Sequence, residues 1–182
     1  GRPQKFDGKI LVPFCIESPL SGVGHLLAPD QVLWYRRTLE HETPGGHRTM
    51  LRFEAVDYET DVFVNGKHVG RHVGSSDPFS FDITDALNEK VNEVAVRVVD
   101  KTALSQTVGK QKLQPKGIFY TRVSGIWQTV WLEDIPARHI ASVKMKPRLG
   151  EGTLRVLPTL GGDPIAGEQL RITVHDHGKV VG

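Results

Sequence analysis

His68 and His72 stand four positions apart in a run of alternating residue types, a spacing that on a strand sets two imidazoles on one face as side-by-side metal ligands. No third ligand follows at a useful spacing, so the pair is read as exposed hairpin histidines and no metal is expected. Asp57, Glu59 and Asp61 alternate as a fragment of a calcium loop would, without the remaining ligands. His175 and His177 flank Asp176 across a turn and read as solvated. Cys15 lies in an apolar run with no histidine beside it, which suits a buried structural thiol and not a nucleophile. Ser21-Gly22 and Ser124-Gly125 lack the G-x-S-x-G frame of a nucleophile elbow, and Gly161-Gly162 lacks the strand–helix unit of a phosphate loop. Two of the three tryptophans, Trp127 and Trp131, are again four apart and offer either a sugar-stacking platform or a buried contact.

The elements that must position these residues are strands. Trp34 to Glu40 and Thr49 to Ala55 alternate bulky and polar side chains, and Asp61 to Val64 runs into Asn65-Gly66, the strongest short hairpin signal, before Lys67 to Gly70. Phe79 to Ile83 predicts a short strand, and Thr84-Asp85 a brief helical turn capped by a hydroxyl or carboxylate ahead of Ala86-Leu87. Glu93 to Asp100 alternates with Val94, Val96 and Val98 inward, and Ile126 to Glu133 closes the set. On that last strand Trp127 and Trp131 share a face opposite Ile126, Val130 and Leu132, so the tryptophan side must be covered by a loop, a neighbouring domain or a ligand. Cover by protein is the reading taken, with both residues packing between domains.

No segment keeps a 3.6-residue apolar period long enough for a packed helix. The pattern predicts an all-β fold: a jelly-roll β-sandwich over residues 1–136. It then restarts, with strands expected at Ile140 to Lys146, Thr153 to Leu157 and Gln169 to Val174, and a hairpin return after His175-Asp-His-Gly-Lys179. Roughly 46 residues fall short of the ~100 of a closed sandwich, so residues 137–182 are expected to be part of a larger domain. With 24% charged and 38% hydrophobic residues the balance is that of a globular protein. The net charge of +2, with no basic cluster, argues against nucleic acid, and no apolar run reaches the ~18–20 residues of a membrane span. The lone cysteine rules out an internal disulfide and leaves the compartment open.

Five stretches in series resemble the N-terminal sugar-binding domain of glycoside hydrolase family 2, the family of β-galactosidases, β-glucuronidases and β-mannosidases. They are Val12 to Val23 (VPFCIESPLSGV), Trp34 to Thr38 (WYRRT), Ala55 to Gly70 (AVDYETDVFVNGKHVG), Asp77 to Thr84 (DPFSFDIT) and Ser124 to Glu133 (SGIWQTVWLE). The resemblance runs from about residue 6 to 135, and the tail from Ala137 resembles the start of the family's immunoglobulin-like second domain. It therefore implies a galactose-binding-like jelly roll followed by a partial immunoglobulin-like sandwich. It also implies a parent enzyme that is a retaining β-glycosidase, whose two catalytic glutamates sit on a (β/α)₈ barrel outside this chain. No catalytic residue and no cofactor are expected here, and the chain alone should be inactive.

The partners implied are a β-glycoside, through the full-length enzyme, and that enzyme's barrel. A periplasmic or secreted parent is slightly favoured over a cytoplasmic one. Two loops of the family's first domain reach the barrel's mouth. On the first, Glu17 and Ser18 stand where some relatives carry a sugar-binding asparagine. On the second, some relatives carry an aspartate eight positions before the residue matching Trp127; here that position is Phe119, which accepts no hydrogen bond. Gln111, in the preceding polar loop from Gly109 to Lys116, is the candidate replacement. Two other readings compete: a free-standing carbohydrate-binding module, and a non-catalytic adhesion or scaffold sandwich.

Overall fold

A computed structural model describes residues 2–182. They divide into two compact units, Gly1–Ile135 and Pro136–Gly182.

The first unit is built on alternation. Strand β1 (Leu33–Glu40) is followed by β2 (His47–Phe53), the two-residue β3 (Val56–Asp57), β4 (Glu59–Val64), β5 (Lys67–Val73), β6 (Phe79–Asp82) and β7 (Val91–Val99). Two short pieces, β8 (Gln111–Lys112) and β9 (Tyr120–Thr121), precede β10 (Gly125–Ile126) and β11 (Val130–Pro136). One antiparallel sheet runs β1-β7-β4-β5; a second runs β11-β2-β6, with β10 paired to β3. Thr60, Val62 and Val64 of β4 and Asn92, Val94, Val96 and Val98 of β7 point inward, as a period of two requires. They meet Leu51, Phe53, Val56, Ile83 and Ile126 from the other side, so the core lies between two sheets, each half-covered by the other. The unit is an all-β sandwich, as the sequence pattern predicts.

Between β4 and β5 the backbone turns at Asn65 (φ 50°) and Gly66 (φ 81°), the positive angles that a two-residue hairpin needs. The Asn65 side chain also donates to Ala86 O (2.7 Å) and to Asn92 Oδ1 (2.8 Å) and accepts from Glu93 N (2.9 Å). The turn is thereby pegged to β7. A register shift follows, because Val62 pairs with Gly70 while Phe63 pairs with His68. One extra residue on β5 reverses the faces beyond it. His68 therefore lies on the outer face against Phe63, with ring centroids 5.0 Å apart, whereas His72 turns inward and stacks on Phe79 at 4.0 Å. The expectation of two exposed hairpin histidines on one face fails for His72, and the bulge is the reason. Burial pushes the His72 imidazole below its ordinary pKa.

Two other expectations are corrected. The strand predicted from Ile126 to Glu133 is two strands, β10 and β11, with a break at 127–129. The break leaves Trp127 and Trp131 on different segments and not on one ladder. In place of a hydroxyl or carboxylate cap, Ile83 precedes the short turn at Thr84–Ala86 and its side chain makes no cap bond; Asp82 Oδ1 accepts from Thr84 N instead (3.1 Å).

The second unit holds a long hairpin, β12 (His139–Arg148) with β13 (Thr153–Gly161), and a short one, β14 (His175–Asp176) with β15 (Lys179–Val180). The turn of the short hairpin is His177-Gly178, both at positive φ. The strand expected at Gln169 to Val174 does not form. Of the backbone hydrogen bonds along it, those found join Val174 to Gly182 and Val181.

Phe53 is 1% exposed and stacks on Phe79 at 4.8 Å, interplanar angle 9°. Phe53→Ala should lower stability by about 3–5 kcal/mol through lost burial and a residual cavity. Urea denaturation followed by tryptophan fluorescence measures this, and a loss below ~1 kcal/mol would show that the sheets do not close over this ring.

Candidate functional site

At one end of the sandwich the chain leaves β7 at Asp100, wanders through residues 101–124 and re-enters at β10. Its return is bonded mostly to side chains. Gln111 Oε1 accepts from Val123 N (2.5 Å), and Glu17 Oε2 accepts from Ser124 N (3.0 Å). Tyr35 Oη accepts from Ile126 N (3.1 Å). The structure thus brings Glu17 and Gln111, candidates from two distant loops, to successive amides of one segment.

Around them lie groups that the sequence does not single out as a cluster. Gln111 Nε2 donates to Asp57 Oδ2 (3.1 Å), and the Ser124 hydroxyl donates to Asp100 Oδ2 (2.7 Å). Asp100 Oδ1 also accepts from Thr102 N (2.8 Å) and Gln106 Nε2 (3.4 Å), an Asx-type turn that starts the loop. Buried Arg122 sends Nε (2.7 Å) and Nη2 to the carbonyl of Leu27, tying the loop's end to the segment before β1. Gly125, at φ 78°, completes the junction. A Cβ there would collide with the Tyr35 hydroxyl, so only glycine lets the phenol reach the Ile126 amide. Burial pushes that phenol well above the usual tyrosine range.

Asp57 is the electrostatic centre. Burial raises its carboxyl from 3.8 to about 7; the Gln111 hydrogen bond opposes the rise, and the charges of Asp100 and Glu17 add to it. Glu17 Oε1 is buried without a partner. Asp100 accepts from the loop's own groups and from Ser124, and Gln111 bridges Asp57 Oδ2 to Val123 N, so these contacts lock the base of the loop.

Ser18 does something different from Glu17: its hydroxyl accepts from Leu20 N (3.2 Å) and starts the short turn Pro19–Ser21. Of the acids that alternate along 57–61, Glu59 pairs with Arg71 (2.6 Å), and Asp61 lies between Arg97 and His68 (3.1 Å each). They do not converge with Asp57. Trp127 is held within its own unit, its indole donating to Ser75 O (2.8 Å), while Trp131 is 38% exposed beside the Arg52–Glu133 ion pair. The thiol of Cys15 is half-buried and pushed up by desolvation, the wrong direction for a nucleophile.

Beyond the lock the loop projects apolar groups. Ile118 is 68%, Phe119 41% and Tyr120 60% exposed. Parallel pairing of β8 with β9 sets Gln111 beside Tyr120, and the Lys112 ammonium sits 5.2 Å from the centre of the Phe119 ring. The result is an anchored arm with a cationic, aromatic tip.

The sequence pattern described as "Glycosyl hydrolases family 2, sugar binding domain" matches residues 22–136, which include the arm, Gln111 and both lock aspartates. The chain belongs to glycoside hydrolase family 2. Among similar proteins, a β-galactosidase of Thermoanaerobacter pseudethanolicus is 29% identical over 160 residues, covering 82% of this chain and 20% of that protein. A β-galactosidase large subunit of Lactobacillus helveticus is 33% identical over 106 residues, 58% of this chain and 16% of that subunit. In fold, β-glucuronidase 3 of Bacteroides uniformis superposes with a TM-score of 0.66 at 22% identity, covering 89% of this chain and 22% of that one. The chain thus spans a fifth or less of the length of these two curated relatives. Glu17 and Ser18 precede the matched span; Asp57 is legible in the sequence only as one of three alternating acids, which misdirects toward a cation loop, and Asp100 only as an acid at the end of an apolar strand.

The raised Asp57 pKa has a consequence for stability. Between its ordinary value of 3.8 and about 7 the folded state binds more protons than the unfolded one, so this group's contribution is full below ~4 and is lost as pH rises through about 7. Asp57→Asn should therefore flatten the fall in stability across that window and gain most relative to wild type above pH ~7. Thermal melts from pH ~4 to ~8 test this; parallel wild-type and variant curves would show that Asp57 is ionised throughout.

Proposed function

We propose that this chain is the non-catalytic N-terminal part of a retaining family 2 β-glycosidase, bracing a catalytic (β/α)₈ barrel and lending the 101–124 arm to the mouth of its substrate cleft. One observation carries the reading. The arm is locked at its base by Asp57, Asp100, Gln111, Ser124 and Arg122, yet exposes Ile118, Phe119 and Tyr120 at its tip. A loop so rigidly rooted, with so much apolar surface presented, suits contact with another protein surface rather than free solvent. In this reading the second unit is the opening of an immunoglobulin-like domain, and the exposed Trp131 packs against a neighbouring domain. Gln111 and Glu17 act on substrate indirectly, by fixing the arm: both polar atoms of Gln111 and Oε2 of Glu17 are engaged with the backbone of 123–124 and with Asp57. The relatives are named as β-galactosidases and β-glucuronidases, so the parent's substrate is a β-glycoside of this kind.

The 182-residue chain alone should turn over neither nitrophenyl β-galactoside nor nitrophenyl β-glucuronide. Hydrolysis above the uncatalysed rate, lost on Asp57→Asn, would overturn the assignment and make the lock a catalytic site.

A further inference from the structure

Three carboxyl groups meet at the root of the arm, each from a different element: Glu17 from the segment before the turn Pro19–Ser21, Asp57 from β3 and Asp100 from just past β7. Asp57 and Asp100 are 5% and 4% exposed, and Glu17 Oε1 is buried with no partner. Among the described residues none of the three has a Lys, Arg or His within ion-pair distance. The remaining ionisable groups on the packed elements do not neutralise the cluster. The Cys15 thiol lies beside Glu17, and the Tyr35 phenol is turned to Ile126 N. Arg122 spends Nε and Nη2 on the Leu27 carbonyl, while Lys110 and Lys112, which flank Gln111, lie over the Tyr120 and Phe119 rings.

Three clustered carboxylates without a counter-ion are costly in a buried site, and the cheapest relief is for one of them to hold a proton. The donors decide which one. Asp100 accepts from Thr102 N, Gln106 Nε2 and the Ser124 hydroxyl, and half-buried Glu17 accepts from Ser124 N, whereas buried Asp57 has the Gln111 amide alone. The same three acids hold both ends of the arm, Asp100 at its departure and Glu17, Asp57 and Gln111 at its return. We propose that the root is a proton-linked latch: a proton on Asp57 keeps the arm 101–124 clamped, and its loss, which leaves three negative charges with no cation between them, lets water into the root and frees the arm. An open root returns the Asp57 carboxyl from about 7 to its ordinary 3.8, so the closed form binds more protons between those values. Opening therefore grows as pH rises toward about 7 and levels off above it. The latch rests on reading the arm as the part lent to the substrate cleft, and it makes the arm's hold there depend on pH.

The test is hydrogen exchange of the whole 182-residue chain from pH ~5 to ~8, each rate divided by the intrinsic rate of that amide. The amides of Val123 and Ser124 report the root, and those of β4 and β7 report the core. At pH ~7 the root amides are expected to be at least about a hundredfold less protected than the core, because the latch opens without unfolding. Their protection should fall about fiftyfold from pH ~5 to ~7 and less than about threefold from ~7 to ~8. Asp57→Asn, which cannot ionise, should leave the root protected and its profile flat. If that variant does not fold, Glu17→Gln serves, since removing one neighbouring charge should move the levelling point to lower pH. A flat wild-type profile overturns the latch, as does an Asp57 carboxyl carbon resonance that titrates near pH ~4. Root amides as protected as the core also overturn it, because the arm would then open only on unfolding. An inert chain with a flat profile removes the latch and leaves the glycosidase reading standing, whereas turnover of a nitrophenyl glycoside overturns that reading whatever the exchange shows.

Discussion

A buried backbone N–H must find an acceptor, and where no ladder supplies one a side chain has to. This constraint governs the return of the chain into the first unit. Val123, Ser124 and Ile126 each donate to a side chain, from Gln111, Glu17 and Tyr35; the first two lie just before β10, and Ile126 lies within its two-residue pairing to β3. Because those acceptors are polar and partly charged, they import their own requirements. Asp57 and Asp100 settle beside them, burial raises the Asp57 pKa, and the Gln111 amide must bridge acid to backbone. The arm follows from this knot, since a long loop with so little secondary structure keeps a defined course only if both of its ends are held.

The knot separates holding from presenting. Glu17 and Gln111 have the residue types of ligand-binding groups, yet their hydrogen-bonding capacity is largely turned inward. The residues left to meet something else are the apolar ones at the arm's tip, and Phe119 is among them. Where an aspartate could address a hydroxyl directly, Phe119 offers a face with a lysine beside it. On the outer face of the β1-β7-β4-β5 sheet Trp34 stacks on Phe63 across β7, and Arg97 beneath them is paired with Asp61.

Alternation is legible along the chain because burial between two sheets imposes a period of two on every strand that lies in them. Strands β1, β2, β4 and β7 can be read nearly as they stand, and Asn65-Gly66 announces its own turn through the positive φ that few other residues accept. The same rule misleads where the ladder is irregular. It places His68 and His72 on one face, although one inserted residue reverses the face between them. It also joins Trp127 to Trp131 across a break at 127–129, where Trp127 N bonds only weakly to Ala55 O (3.4 Å) and its indole is drawn to Ser75.

By itself the sequence determined the fold class, the faces of the regular strands and the family, because these depend on patterns local in the chain or on residue types that recur in series. Tertiary structure decided the site. Glu17, Asp57, Asp100, Gln111 and Ser124 come from widely separated parts of the chain, and nothing local makes an acid at the end of a strand a buried one. Only the closure of the sandwich brings them together, and only that closure removes the water that would otherwise have held the Asp57 carboxyl near its ordinary pKa.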